Sequence, residues 1–291
     1  MADTLSLIWQ EKLSLWRITQ LYRVKVIITW ILLLLESSLI ILFPLVIGFS
    51  VDTLLENNNS GLIILGVLSA AVLIIGAGRR FYDTRAYASI FRELANSLVT
   101  HEKRQQTPTS NVTARINLLY EVIEFLENSL PMLLGSLIGF IGVIIILAMI
   151  DINIMLLCLF VSVLVITVYA LIGQKIFDYN KQQNDELEQQ VAVLSQNRKR
   201  RVSLHFMRMM KWNIKLSDLE TASFSLVWIM LGGLLIGSII LIVENTGISY
   251  GQKITSIMYV FQYIEVVMGF PVYYQQFVRL SEITHRLSNR L

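Results

Sequence analysis

Two glutamates stand where a lipid-crossing sequence has least use for them: Glu36 inside "LLLLESSLIILF" (32–43) and Glu265 inside "MYVFQYIEVVMGF" (258–270). A charge at the bilayer centre costs about 2.5–3.5 kcal/mol on insertion scales, so neither acid faces lipid ionised. Each is protonated, paired, or turned into a wet cavity. A carboxyl whose pKa is raised by desolvation is suited to carrying protons. The bland alternative for Glu36 is a neutral carboxyl bonded to Ser37, Ser38 or a neighbouring helix. Around Glu265 stand Tyr259, Gln262, Tyr263 and Tyr273, and Gly269 with Pro271 supplies a kink, so this segment reads as cavity-lining. Positions three, four and seven apart share a helix face, which allows Tyr263 and Phe270, or Tyr259 and Gln262, on the side of Glu265.

Other chemistry finds little support. Cys158 is the single cysteine, which excludes a disulfide or thiol metal site within one chain. His101, His205 and His285 have no companions at ligand spacing and read as surface residues, so no metal and no cofactor is expected. No nucleophile–base set or acidic cluster can be assembled, and an enzyme is not indicated. Arg79 and Arg80 read as snorkelling anchors at the end of an apolar run, with pairing to an acidic substrate as the alternative. The run Arg198–Arg201 reads as a solvated cationic patch or a docking site.

The elements that position these residues are membrane helices. Of 291 residues, 55% are hydrophobic and 15% charged, and the mean hydropathy of +0.61 exceeds that of a soluble domain. Apolar runs at about 26–48, 62–78, 130–150, 152–173, 224–243 and 254–274 approach the ~20 residues that cross ~30 Å of hydrocarbon. They predict an all-α membrane protein of six transmembrane helices, with a tight hairpin at Asp151 between the third and fourth. Of the 24 Lys and Arg, 23 fall in segments on one side, leaving Lys253 among the opposite loops. The positive-inside rule then places both termini in the cytoplasm, in a multi-pass inner-membrane chain. The net charge of +3 reports that topology, and nucleic acid is not an expected partner. Residues 1–25 read as an interfacial elbow helix leading into the 26–291 transmembrane domain, with no cleavable signal.

The two inside connections are long and helical. The second span continues to about 104, projecting ~39 Å at ~1.5 Å per residue, and stops at Thr107-Pro108-Thr109-Ser110, where proline ends the ladder. The connection after the fourth span behaves likewise, with a bend near Ser195-Gln196-Asn197-Arg198.

This layout resembles the transmembrane domain of ABC exporters. "FPLVIGFSVDTLL" (43–55) is similar to the end of that family's first span, "TARINLLYEVIEFLENSLPMLL" (113–134), with Arg115 and Glu121, to its return into the third, and "ENTGISYGQKITSIMYV" (244–260), with Gly247 and Gly251, to the loop opening its sixth. The resemblance covers essentially the whole chain. It implies two such units around one pathway, helices 4 and 5 crossing to the partner, with a homodimer as first expectation. It also implies docking of a separate ATPase subunit at residues 107–110 and 195–198. No G-x-x-x-x-G-K-[ST] phosphate loop occurs in the sequence. The expectation is therefore a transport subunit without its own ATPase, driven by a proton gradient or by an ATPase in trans. A non-transporting regulatory or assembly protein that kept the fold is the alternative.

Overall fold

The computed structural model describes residues 15–195 and 198–276. Among them no strand occurs. Ten helices follow in chain order: α1 Leu15–Leu21, α2 Arg23–Leu55, α3 Ser60–Arg104, α4 Thr109–Glu124, α5 Leu130–Ile150, α6 Ile152–Glu188, α7 Gln190–Ser195, α8 Lys199–Glu244, α9 Tyr250–Met268 and α10 Phe270–Gln276. A π-turn, Phe125–Ser129, joins α4 to α5. It lies just before Pro131, whose missing N–H leaves the preceding turn unable to close an ordinary ladder. Five helical stretches are long and apolar enough to cross a membrane, and a sixth if α9 and α10, bent by 41° at Gly269, form one span.

The chain divides into two compact units. The first comprises residues 1–150 and 246–291, the second residues 151–245.

In the first unit, α2 and α3 run antiparallel from a short turn. Asn57 occupies the left-handed region at φ 57°, a conformation that asparagine tolerates better than most side chains. Asn58 Oδ1 accepts from Ser60 N at 2.9 Å. Helix α9 packs on α2 through small residues. A Cβ on Gly48 would collide with the Gly251 carbonyl, and one on Gly251 with the Gly48 carbonyl, so both must lack side chains for the two backbones to touch. Asp52 clamps this crossing, accepting from Gly251 N at 2.7 Å and from the Ser249 hydroxyl at 2.5 Å. Pro44 interrupts the α2 ladder. Beside it, the Thr255 hydroxyl donates to Pro44 O at 2.9 Å and the Tyr259 hydroxyl to Ile41 O at 2.7 Å, which ties α9 to the α2 backbone around the proline.

At the opposite end the first unit has a packed apolar core. Ile18 and Tyr22 meet Tyr87, Ile90, Leu94 and Leu98 of α3 and Leu119, Val122 and Phe125 of the returning segment, all buried. The far part of α3 is thus folded against α1, α2 and α4 rather than left as a solvated rod. Lys25 fastens the entry of α2, its Nζ donating to Ser89 Oγ at 2.7 Å and lying 3.7 Å from Glu93.

The second unit is a long hairpin. Asp151 caps α6 by accepting from Asn153 N at 2.9 Å, and its other oxygen accepts from Asn245 Nδ2 at 2.8 Å, closing the hairpin mouth. Ile154, Cys158, Val161, Val165 and Val168 form the buried stripe of α6, and Val227, Leu231, Leu234 and Ile242 that of α8. Spacings of three and four keep each stripe on one face. Farther along, His205 is buried and Nδ1 lies 3.3 Å from Glu186 Oε2. The surface position expected for His205 is therefore corrected: it faces α6 inside the hairpin.

Candidate functional site

The site begins with register. Twenty residues separate Glu36 from Glu56 at the end of α2, and twenty separate Asn59 at the start of α3 from Arg79. At ~1.5 Å rise both stand about 30 Å from the turn. Glu36 and Arg79 thus stand level on the two helices, which is the register that lets their side chains meet.

Helix α3 presents Gly76, Arg79 and Asp83 to it, spaced at three and four residues on one face. A Cβ on Gly76 would lie 2.8 Å from Glu36 Oε1, so glycine there opens the seat for the carboxylate. Arg79 Nε donates to Glu36 Oε2, and Arg79 Nη1 donates to Asp83 Oδ2 at 3.0 Å. Glu36 is 8% exposed and Asp83 3%. Two buried acids therefore share one guanidinium, which leaves the group one positive charge short. Thr29 stands beside Asp83. Neither Thr29 Oγ1 nor Asp83 Oδ1, both buried, makes a well-aligned hydrogen bond. Burial pushes the Asp83 carboxyl above its ordinary pKa, and Thr29 and Arg79 only partly oppose it.

A cavity of about 470 Å³ opens against this group. Ser37 from α2, Arg80 and Thr84 from α3, Glu127 and Asn128 from the π-turn, and Tyr273 from α10 line it together with Glu36, Arg79 and Asp83. Glu127 is half-buried and makes no ion pair among the described residues. The structure thus places Arg79 in an ion pair with two acids, in place of the headgroup anchor read from the sequence, while Arg80 remains exposed.

The residues of the broken last span separate. Tyr259 and Tyr263 are fully buried, Tyr259 on the α2 backbone and Tyr263 with its ring centroid 6.0 Å from that of Phe140. Gln262 is half-buried and Glu265 exposed on another face of α9. Neither lines the cavity, whereas Tyr273 does. Its ring also rests on Gly269, where a Cβ would lie 2.6 Å away.

The two bends differ in how they are held. Residues 105–108 connect α3 to α4, with Gln106 in the left-handed region at φ 56°. Arg115 Nη1 donates to Glu102 Oε1 across the bend, where Glu102 is 1% exposed. Thr107 is half-buried, and Pro108, Thr109 and Ser110 are exposed. Ser195 and Arg198 are exposed too, while Gln196 and Asn197 lie outside the described residues, as does His285.

Sequence reasoning missed Gly76, Arg79 and Asp83 as a unit. The available signal was the equal distance of Glu36 and Arg79 from the turn. A family model described as "ABC transporter transmembrane region" matches residues 15–251. No curated protein matches the chain.

Proposed function

The chain belongs to the ABC transporter transmembrane region family, and from this premise we propose that it is a transport subunit working by alternating access as a dimer in a bacterial inner membrane. The family match over 15–251 carries this reading. Both termini are cytoplasmic, so α3, α6 and α8 extend their polar ends into the cytoplasm and the short turns face outward. The independence of the 151–245 hairpin as a compact unit supports an arrangement in which it packs on the other copy. Alternating access needs two packings that differ by a few kcal/mol, so that a ligand with unequal affinity for them shifts the population.

Two sources of energy suit this reading, an ATPase acting on the cytoplasmic bends or an ion gradient. In the first case the bends at 107–110 and 195–198 seat the ATPase, where Pro108, Thr109, Ser110, Ser195 and Arg198 are exposed. In the second, the acids facing the cavity take up and release the ion. A cavity lined by charged groups favours transport over a passive assembly role.

Capture of the tagged protein from its native membranes after mild cross-linking tests the reading. A stoichiometric ATPase subunit is the expected result for the split form, and copies of this chain alone for the ion-driven form. A chain recovered as a monomer in both lipid and mild detergent would overturn the dimeric transporter.

A further inference from the structure

We propose that Glu36, Arg79 and Asp83 form one proton-binding site, in which the two carboxyls together hold a single proton supplied through the adjoining cavity. For its use in transport this deepens the ion-driven form of the function above and rests on it. The proton itself follows from geometry.

Arg79 engages both acids at once, through Nε and through Nη1. With both carboxylates ionised, the buried group carries a net negative charge, and an unbalanced charge out of water costs several kcal/mol. One proton turns the group neutral: one carboxylate stays paired with the guanidinium, and the other becomes a carboxylic acid. Because the acids interact through the same cation, the proton belongs to the pair rather than to either residue.

The surrounding charges do not supply the missing cation. Arg80 and Thr84 of α3, Glu127 of the π-turn and Tyr273 of α10 face the cavity, with Tyr82 and Tyr87 beside Asp83 on α3. Arg80 is exposed and makes no ion pair with either acid among the described residues, and Glu127 adds a negative charge to the lining rather than a cation. Lys25 is committed to Ser89 and Glu93. The cavity gives protons a route to the group, and the reaction is a protonation of one carboxylate with no other bond made or broken.

The stoichiometry is unusual enough to test directly. Infrared spectra of the purified full-length protein near neutral pH report protonated carboxyls through their C=O stretch, which shifts in heavy water. Glu36→Gln and Asp83→Asn should each lose one such carboxyl relative to wild type, because either change leaves one acid matched to Arg79. Arg79→Gln should gain one, because both acids then lose their counter-ion. Loss in only one of the two acid variants would assign the proton to a single residue and overturn the shared site. Loss in neither would overturn the site altogether. If Arg79→Gln does not fold, the two acid variants still decide. A correct proton count together with unchanged pH-gradient-driven transport in Glu36→Gln and Asp83→Asn would leave the site standing and remove the ion-driven reading.

Discussion

Asp83, one member of the carboxyl pair on Arg79, is a residue through which pH should reach stability. Its carboxyl is pushed up by burial, so its folded pKa lies above the unfolded one. By linkage its contribution is fully present below the unfolded pKa and is lost as pH rises through the folded pKa. Asp83→Asn should therefore flatten the acid-to-neutral dependence of the thermal midpoint in detergent, and raise that midpoint at neutral pH. A pH profile parallel to wild type would show that Asp83 titrates as an ordinary exposed acid. The glycines give a second contrast at this scale. At Gly48 an added Cβ meets the Gly251 backbone, which cannot move aside, whereas at Gly78 it meets open space. Gly48→Ala should cost about 1–3 kcal/mol through overpacking. Gly78→Ala should be neutral or stabilise by up to about 1 kcal/mol through helix propensity. Thermal unfolding of the two variants side by side checks both signs.

At the scale of elements, the bend between α3 and α4 is held by a partner rather than by its own turn chemistry. Glu102 is buried and depends on Arg115 from the returning helix. Arg115→Met should destabilise by about 3–5 kcal/mol, the cost of stranding a buried charge. The double variant Glu102→Gln/Arg115→Met should recover much of that loss, and equal instability of the single and double variants would argue against the pair. Much of this element-level picture was legible in the sequence. Apolar runs long enough to span, the proline at 108, and the Asp151 break all act through local backbone physics, and the helices begin and end near where those signals fall. The expected run of the second span to about 104 ends at Arg104. The candidate site was harder to read. Glu36 could be singled out because an acid among leucines is improbable, but its depth depends on where α2 ends and on which α3 residue lies opposite. That is a tertiary register, without a local code. Tyr259 and Tyr263 illustrate the same limit. Their polar groups suggested a cavity wall, yet the tyrosine ring is mostly apolar surface, and burial of both rings against α2 and α5 decides their direction. His205 was misread for a related reason: its partner Glu186 lies nineteen residues earlier, on the other arm of the hairpin.

For the whole molecule, orientation in the membrane controls which of these features meets which compartment. The proposed topology, with cytoplasmic termini, rests on 23 of 24 cationic residues lying in segments on one side. It requires the turn at Asn57–Asn58 to be external and the tip near Ser195 internal. It also requires the Glu36–Arg79–Asp83 group, about 30 Å from that turn, to sit at the cytoplasmic mouth, where protons would be released after an inward step or taken up before an outward one. Cys158 is the only cysteine and is buried, so a Cys158→Ser background allows single reporters. A membrane-impermeant thiol reagent applied to intact cells should label Asn58→Cys, and should label Ser195→Cys only after the membrane is opened. Both residues are exposed, and each substitution removes one local hydrogen bond, to Asn58 Oδ1 from Ser60 N or from Ser195 Oγ to Ala192 O, without touching buried packing. Labelling of Ser195→Cys in intact cells would invert the topology, place the cationic bends outside, and remove them as a seat for a cytoplasmic ATPase. The proton site would survive that inversion, because its charge imbalance depends on three side chains and not on the side of the membrane they face.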